Sequence, residues 1–281
     1  MCIRDSLVAA VVPDCSFDGC SSCGVCGPDL GHNVVVPAPE VPEQIPTQAP
    51  PSARICRLRV QFAKTNSMAL LSHLDLMRML ERALRRSALP ISFTGGFHPL
   101  PRIQIALALP LGAEAHSEWM DLEFTEPLSP DRLCSTLQPL LPAGITLLSA
   151  SEVPVGNRSL SQEITAAVWS FDLQLADEAS DRNSVDWDVA VASITAAQQL
   201  IWHDTDKKGR PRQRDCRPSL RRLDLLSGSS PRRRRLCLEA EVDEMGRSIR
   251  PTQIQHWIAE QQGLPLEISS LKREALHLAK C

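Results

Sequence analysis

The chain has 281 residues, 43% of them hydrophobic, a formal net charge of -3 and no tyrosine. That is enough apolar side chain for one large or two modest cores, and no apolar run reaches the length of a membrane span, so a cytoplasmic protein without a membrane partner is expected. A mildly acidic chain with few aromatics excludes a general nucleic-acid binder and argues against a platform that stacks single-stranded bases.

Residues 1–6 fit nothing that follows and read as the spurious opening of a truncated frame. Cys15, Cys20, Cys23 and Cys26 then set four thiols within twelve residues, among Gly19, Gly24 and Gly27 and ahead of Gly31-His32-Asn33. Thiolates so spaced bind zinc or an iron–sulfur cluster, and the glycines permit turns sharp enough to bring the sulfurs to one centre. Cys15-x4-Cys20-x2-Cys23 matches the first part of plant-type iron–sulfur spacing, and Cys20-x2-Cys23-x2-Cys26 resembles the bacterial run without its remote ligand. Cys23-x2-Cys26 with His32 as an alternative ligand suits zinc equally well. A disulfide pair in a tail is the alternative, disfavoured because no secretory signal precedes it. Residues 1–34 therefore read as a small Cys-rich metal-binding segment. Six prolines within 35–53 make the next stretch an extended linker.

Cys56 to Phe62 alternates in the period of a half-buried strand. Ser72 and Asp75 signal a helix start, and Leu74, Met77, Leu80 and Leu84 recur at helical spacing up to Pro90. Arg78, Arg82, Arg85 and Arg86 fall beside that stripe as a basic ridge. Ile103 to Leu109 and Trp119 to Phe124 read as strands, Asp131 to Leu140 as a short helix and Ile145 to Leu148 as a strand. A looser second copy follows: strand Val168 to Leu175, helix Val185 to Gln199, strand Leu200 to His203, strand Arg235 to Val242, helix Thr252 to Gln261 and strand Leu266 to Leu271. The fold class is α+β, with two ferredoxin-like halves in β-α-β-β-α-β order, at 54–155 and 156–281. The second half carries a basic insertion at 207–235, where twelve Lys and Arg face only Asp215 and Asp224. Such a stretch attracts phosphate if it forms one face and is otherwise a solvated loop.

The loop Thr94 to Arg102 holds Gly95, Gly96, Pro99 and Pro101, so His98 and Arg102 are expected on a stiff support. Imidazole moves protons or binds metal, and guanidinium holds carboxylate or phosphate. His73 at the helix start is not needed for capping and would face His98 if the loop folds back. Glu118 is the third catalytic candidate, as a general base, although it reads more readily as an exposed strand residue. Arg78, Arg82, Arg85, Arg86, Arg102, Asp215 and Arg217 are the substrate-binding candidates, although Asp215-Cys216-Arg217-Pro218 also reads as a braced turn. No Gly-rich phosphate loop, nucleophile elbow or zinc-protease motif is present.

Lys64, Ser72-His73-Leu74-Asp75, Arg85-Arg86, Pro90, Gly96-Phe97-His98-Pro99, Pro101-Arg102 and Asp215 with Arg217-Pro218 resemble the pattern of the radical SAM-linked family called domain of unknown function 2344. The resemblance spans about residues 54 to 275. It implies a domain fused behind, or encoded beside, a radical SAM protein, and the cysteine segment is similar to the junction of the fused, cyanobacterial-type form. No Cys-x3-Cys-x2-Cys occurs here, and Cys216 stands where the family pattern implies an aliphatic residue. The resemblance thus implies the C-terminal part of a larger enzyme, with S-adenosylmethionine bound only in an N-terminal core outside this chain. Three functions follow as expectations. The first is an accessory or substrate-recognition domain, not catalytic alone, that partners a radical SAM core in cis or in trans and acts on RNA or a ribosomal component. The second is a free-standing metal enzyme using His73, His98 and Glu118. The third is a structural docking domain.

Overall fold

Strands whose apolar side chains alternate with polar ones build a mixed sheet, and in its central strands β1 and β5 consecutive positions are buried. The computed structural model describes residues 49–156, 159–176, 185–205, 209–230 and 232–279, all within one compact unit. The elements begin with β1 (Cys56–Lys64), α1 (His73–Ser87), β2 (Ile103–Ile105), β3 (Glu114–Phe124), α2 (Pro130–Leu137) and β4 (Ile145–Val153). They continue with β5 (Ile164–Leu175), α3 (Trp187–Ala196), β6 (Ile201–Thr205), β7 (Pro211–Asp215), β8 (Leu220–Ser230), β9 (Arg233–Glu241), α4 (Pro251–Gln262) and β10 (Leu266–Leu278). Among the described residues no helix is long and apolar enough to cross a membrane.

Strands β1 to β4 share one eight-stranded sheet with β5, β8, β9 and β10, in the order β4-β1-β3-β10-β5-β9-β8, with β2 also on β3. Every pairing is antiparallel except β3 with β10, where Glu114 and Ala115 run parallel to Lys272 and Arg273. That short parallel contact is the seam between two separate apolar clusters. One gathers Leu58, Val60, Met120 and Leu122 with α1 and α2, and the other gathers Phe171, Leu236 and Leu238 with α3 and α4.

Helix α1 starts where Ser72 and Asp75 predict it, with Ser72 Oγ accepting from the Asp75 N–H at 3.2 Å. Its buried face is Leu76, Leu80, Ala83 and Leu84, so the expected stripe is rotated. Met77 is half-buried and Leu74 is 65% exposed, because a step of about 100° per residue sets Met77 on the flank of the Leu76-Leu80 row and Leu74 nearly opposite it.

The second half departs further from the sequence reading. The strand expected at Leu200 to His203 pairs with β7 in a separate two-stranded sheet, and the main-sheet strand is β8. The expected strand from Ile103 to Leu109 stops at Ile105, because the carbonyls of Leu107 and Ala108 accept from Arg273 instead of a neighbouring strand.

The basic stretch at 207–235 is largely β7, β8 and β9, and much of its charge is paired. Arg212 meets Asp204, Arg221 meets Glu239 and Glu241, Arg222 meets Asp224, and Arg233 and Arg235 share Asp172. Hydrogen bonds from Arg235 hold the Asp172 carboxyl below its ordinary value of 3.8, Arg233 adding to this against the cost of burial. A carboxyl depressed on folding contributes stability that is present above that ordinary value and lost as pH falls through the folded-state value. Asp172→Asn is therefore expected to flatten the acid limb of stability against pH below 3.8 while changing little near neutrality beyond a constant offset. Urea melts between pH 2.5 and 7 measure it, and parallel acid limbs for variant and parent would reject it.

Candidate functional site

The face of β1 and β3 turned away from the core carries paired charges. Arg57 and Arg59 alternate with Leu58 and Val60, and Asp121 and Glu123 alternate with Met120 and Leu122. The antiparallel register sets Arg57 opposite Glu123 and Arg59 opposite Asp121. Arg59 donates to the Asp121 carboxylate through Nε and Nη2 at 2.9 and 3.0 Å, and to Glu163 through Nη1 at 2.6 Å. Arg57 bonds the same Asp121 carboxylate, and Arg54 grips Glu123 through Nε and Nη2 at 2.5 and 2.6 Å. Burial pulls the Arg59 guanidinium down, but the hydrogen bonds it donates to Asp121 and Glu163 carry it above its ordinary value. Asp121, 2% exposed, is tolerated in the interior because guanidinium groups occupy its oxygens.

Beside this network runs a groove of about 740 Å³, in the size range of ligand clefts. Leu74, Met77, Arg78 and Glu81 of α1 form one wall, and Leu100 to Gln104 form the other. Arg57, Asp121 and Glu123 reach it from the sheet. The second wall is held by its own backbone. Thr94 N–H donates to the Leu100 carbonyl at 2.8 Å, Leu100 N–H returns to Thr94 Oγ1 at 3.0 Å, and Arg102 N–H donates to the Ser92 carbonyl at 2.8 Å. Gly96, with φ of 107°, makes the turn that a side chain would disfavour. The stiff support expected for Arg102 is therefore present.

Arg102 is the groove guanidinium with donor capacity to spare. Its Nε is buried without a hydrogen-bond partner among the described residues and lies 3.9 Å from Glu123 Oε2, beyond hydrogen-bond range. Arg78 adds an exposed cation 3.4 Å from Asp75. The remaining ridge divides. Arg85 bonds Glu81 at 2.9 and 3.1 Å and lies 5.2 Å over the Phe93 ring, Arg86 donates to the Leu140 carbonyl, and Arg82 is exposed. With Arg54 and Arg57 tied to Glu123 and Asp121, Arg102 and Arg78 are the groove cations left to meet an anionic group attached to a less polar body.

The catalytic candidates do not gather there. Glu118, 2% exposed, receives Nε and Nη2 of Arg273 at 2.5 Å each, which ties β3 to β10. Burial raises its carboxyl, with Arg273 and then Lys64 pulling it back. Lys64, 1% exposed, donates to the Leu71 and Ala69 carbonyls at 2.9 and 3.2 Å, and burial lowers its amine. His73 meets Lys64 and Glu118 at a cavity of only about 10 Å³, too small for more than about one water. His98 is exposed and lines neither that cavity nor the groove.

Among the described residues no group of three His, Cys, Asp or Glu side chains is placed to hold a metal. His73, His98 and Glu118 accordingly form no metal centre. Cys15, Cys20, Cys23, Cys26 and His32 lie outside the described residues. Asp215 and Arg217 are spent on the backbone. Asp215 Oδ1 accepts from the N–H groups of Arg217 and Leu200 at 2.9 Å each, which holds its carboxyl below the ordinary value. Arg217 donates to the carbonyls of Ala197, Thr195 and Leu220.

Sequence reasoning missed Arg54, Arg57, Asp121 and Glu123. Their signal was available: two strands with opposite charges at the same period of two are complementary once paired antiparallel.

Residues 57–251 match the model of a family described as an uncharacterized protein conserved in bacteria, domain of unknown function 2344. No curated protein matches the sequence. Among solved structures, a Cbf5-Nop10-Gar1 complex is similar with a TM-score of 0.46 at 12% identity, over 78% of this chain and 48% of that one. An archaeal box H/ACA sRNP Nop10-Cbf5 complex is similar with a TM-score of 0.40 at 9% identity, over 77% and 46%. The chain spans about half the length of these structures. The match to the family model covers most of the described strands and helices, from β1 to the first residue of α4, and the chain belongs to the domain of unknown function 2344 family.

Proposed function

We propose that this chain is the substrate-recognition part of a radical SAM enzyme, and that its groove receives an anionic segment of the substrate, RNA or a ribosomal component. The observation that carries the reading is Arg102, a guanidinium with unused donors on a backbone-fixed wall, facing apolar residues of α1. Leu74, Pro101 and Arg102 belong to the stretches that resemble the radical SAM-linked family, and all three line the groove. In this reading the two halves, 54–155 and 156–281, are ferredoxin-like units. The cysteine segment holds iron–sulfur or zinc, and S-adenosylmethionine belongs to a core partnered in cis or in trans in the cytoplasm.

Filter binding of the chain to total RNA across a salt series tests the recognition part. Affinity is expected to fall as salt rises, and Arg102→Ala is expected to weaken binding and reduce the logarithmic salt slope by about one contact, roughly 0.7 to 0.9. Affinity that ignores salt would reject an anionic segment, and an unchanged slope in the variant would remove Arg102 from the contact.

A further inference from the structure

A second cavity, of about 250 Å³, opens at the seam where β3 meets β10. Its apolar walls are Leu107 and Leu109 from the link between β2 and β3, and Val242 and Ile249 from the connection before α4. Trp169 of β5 and Arg273 of β10 complete it. Taking water's share of liquid volume as about 30 Å³, the space corresponds to roughly eight waters, enough for a small organic molecule.

The polar groups around this cavity are unbalanced. Arg273 is occupied: it holds both oxygens of Glu118, donates to the carbonyls of Leu107 and Ala108 at 2.9 and 3.3 Å, and lies 5.1 Å over the Trp169 ring. Arg250, at the N-cap of α4, is exposed and makes no ion pair with a described carboxylate. The charged side chains on the lining are therefore two arginines, Arg273 held by Glu118 and Arg250 without a carboxylate, and the N-terminus of α4 adds a partial positive charge. Trp169, a residue of the wall, is 4% exposed, and its indole N–H has no acceptor among the described residues. A lining without a carboxylate, an arginine without an ion pair at its edge and an apolar enclosure together ask for a small anion with an apolar body.

We infer that the seam cavity binds a small organic carboxylate, with its charged group at Arg250 and its body against Leu107, Leu109 and Trp169. This site is separate from the groove proposed for the substrate, shares none of the groove's lining residues, and stands whether or not that groove binds RNA. Occupancy would bridge the link after β2 to the N-terminus of α4, across the joint between the two halves.

Sodium benzoate is a suitable probe, with benzamide as its neutral counterpart, followed through the indole N–H signals of the 15N-labelled full chain. The Trp169 signal, identified by its loss in Trp169→Phe, is expected to shift saturably with benzoate and much less with benzamide. Arg250 is exposed, so Arg250→Ala should keep the parent spectrum while weakening benzoate about tenfold, the effect of losing a hydrogen bond to a charged group. A Trp169 signal unmoved by benzoate overturns the inference. Equal shifts with benzamide, or undiminished affinity in Arg250→Ala, overturn its anionic character.

Discussion

Glu118→Gln is expected to destabilise the protein by about 3–5 kcal/mol, the cost of removing one partner from a buried ion pair. For a domain of this size that lowers the melting temperature by roughly 10 °C. Glu118 is the carboxylate between two buried cations, Arg273 at 2.5 Å and Lys64, both under 3% exposed. The amide keeps the volume but neutralises neither, and their mutual repulsion remains. The pH dependence separates this account from a simple packing defect. Burial already lowers the Lys64 amine, and Glu118 is the group that holds it up, so its loss lowers that amine further. A lysine whose amine is depressed on folding makes the unfolded state bind more protons, so stability rises with pH up to the ordinary lysine value of 10.5. Glu118→Gln should therefore regain part of its deficit between pH 7 and 10, and Glu118→Leu with Arg273→Met should be milder than either single change. Urea melts at both pH values decide it. A deficit under about 1 kcal/mol, or one that grows in alkali, would contradict a charge-compensating role.

The first half was the more legible because local signals and tertiary demands agree there. Ser72 and Asp75 mark the helix start that forms, and the alternation in Cys56 to Phe62 marks β1. The rotated stripe of α1 shows the limit: Leu74 and Met77 are as apolar as Leu76, and only the sheet beneath decides which of them is covered. Strand β8 was missed because Arg221, Arg222 and Asp224 make it look like a solvated loop. Its arginines find carboxylates on β8 and β9, at Asp224, Glu239 and Glu241, a pairing that depends on register. The candidate site was legible in one wall, the Thr94 to Arg102 loop with its glycines and prolines. The charged pairs beside it were not, since Arg59 meets Asp121 from a distant part of the chain. Glu118 read as a general base or an exposed strand residue because its partner is not local: Arg273, which takes both its oxygens, lies 155 residues away.

Asp121→Ala is expected to uncouple stability from recognition. Asp121 lines the groove and neutralises Arg57 and Arg59, and both arginines are under 10% exposed. Removing it should cost about 3 kcal/mol, because Glu163 still holds Arg59 at 2.6 Å while much of the remaining charge goes uncompensated. The same change leaves the groove more positive. If the groove takes an anion, the variant should bind total RNA more tightly at low salt than the parent and lose that gain faster as salt rises, with a steeper slope by up to one contact. Stability and affinity would then move in opposite directions, the pattern of a site that keeps strain for function. The paired measurement is a urea melt and a filter-binding salt series on the same preparation, at a temperature where the variant is folded. Affinity that falls together with stability would mean that Asp121 shapes the groove instead of limiting its charge, and the recognition of an anion would then rest on Arg102 and Arg78 alone.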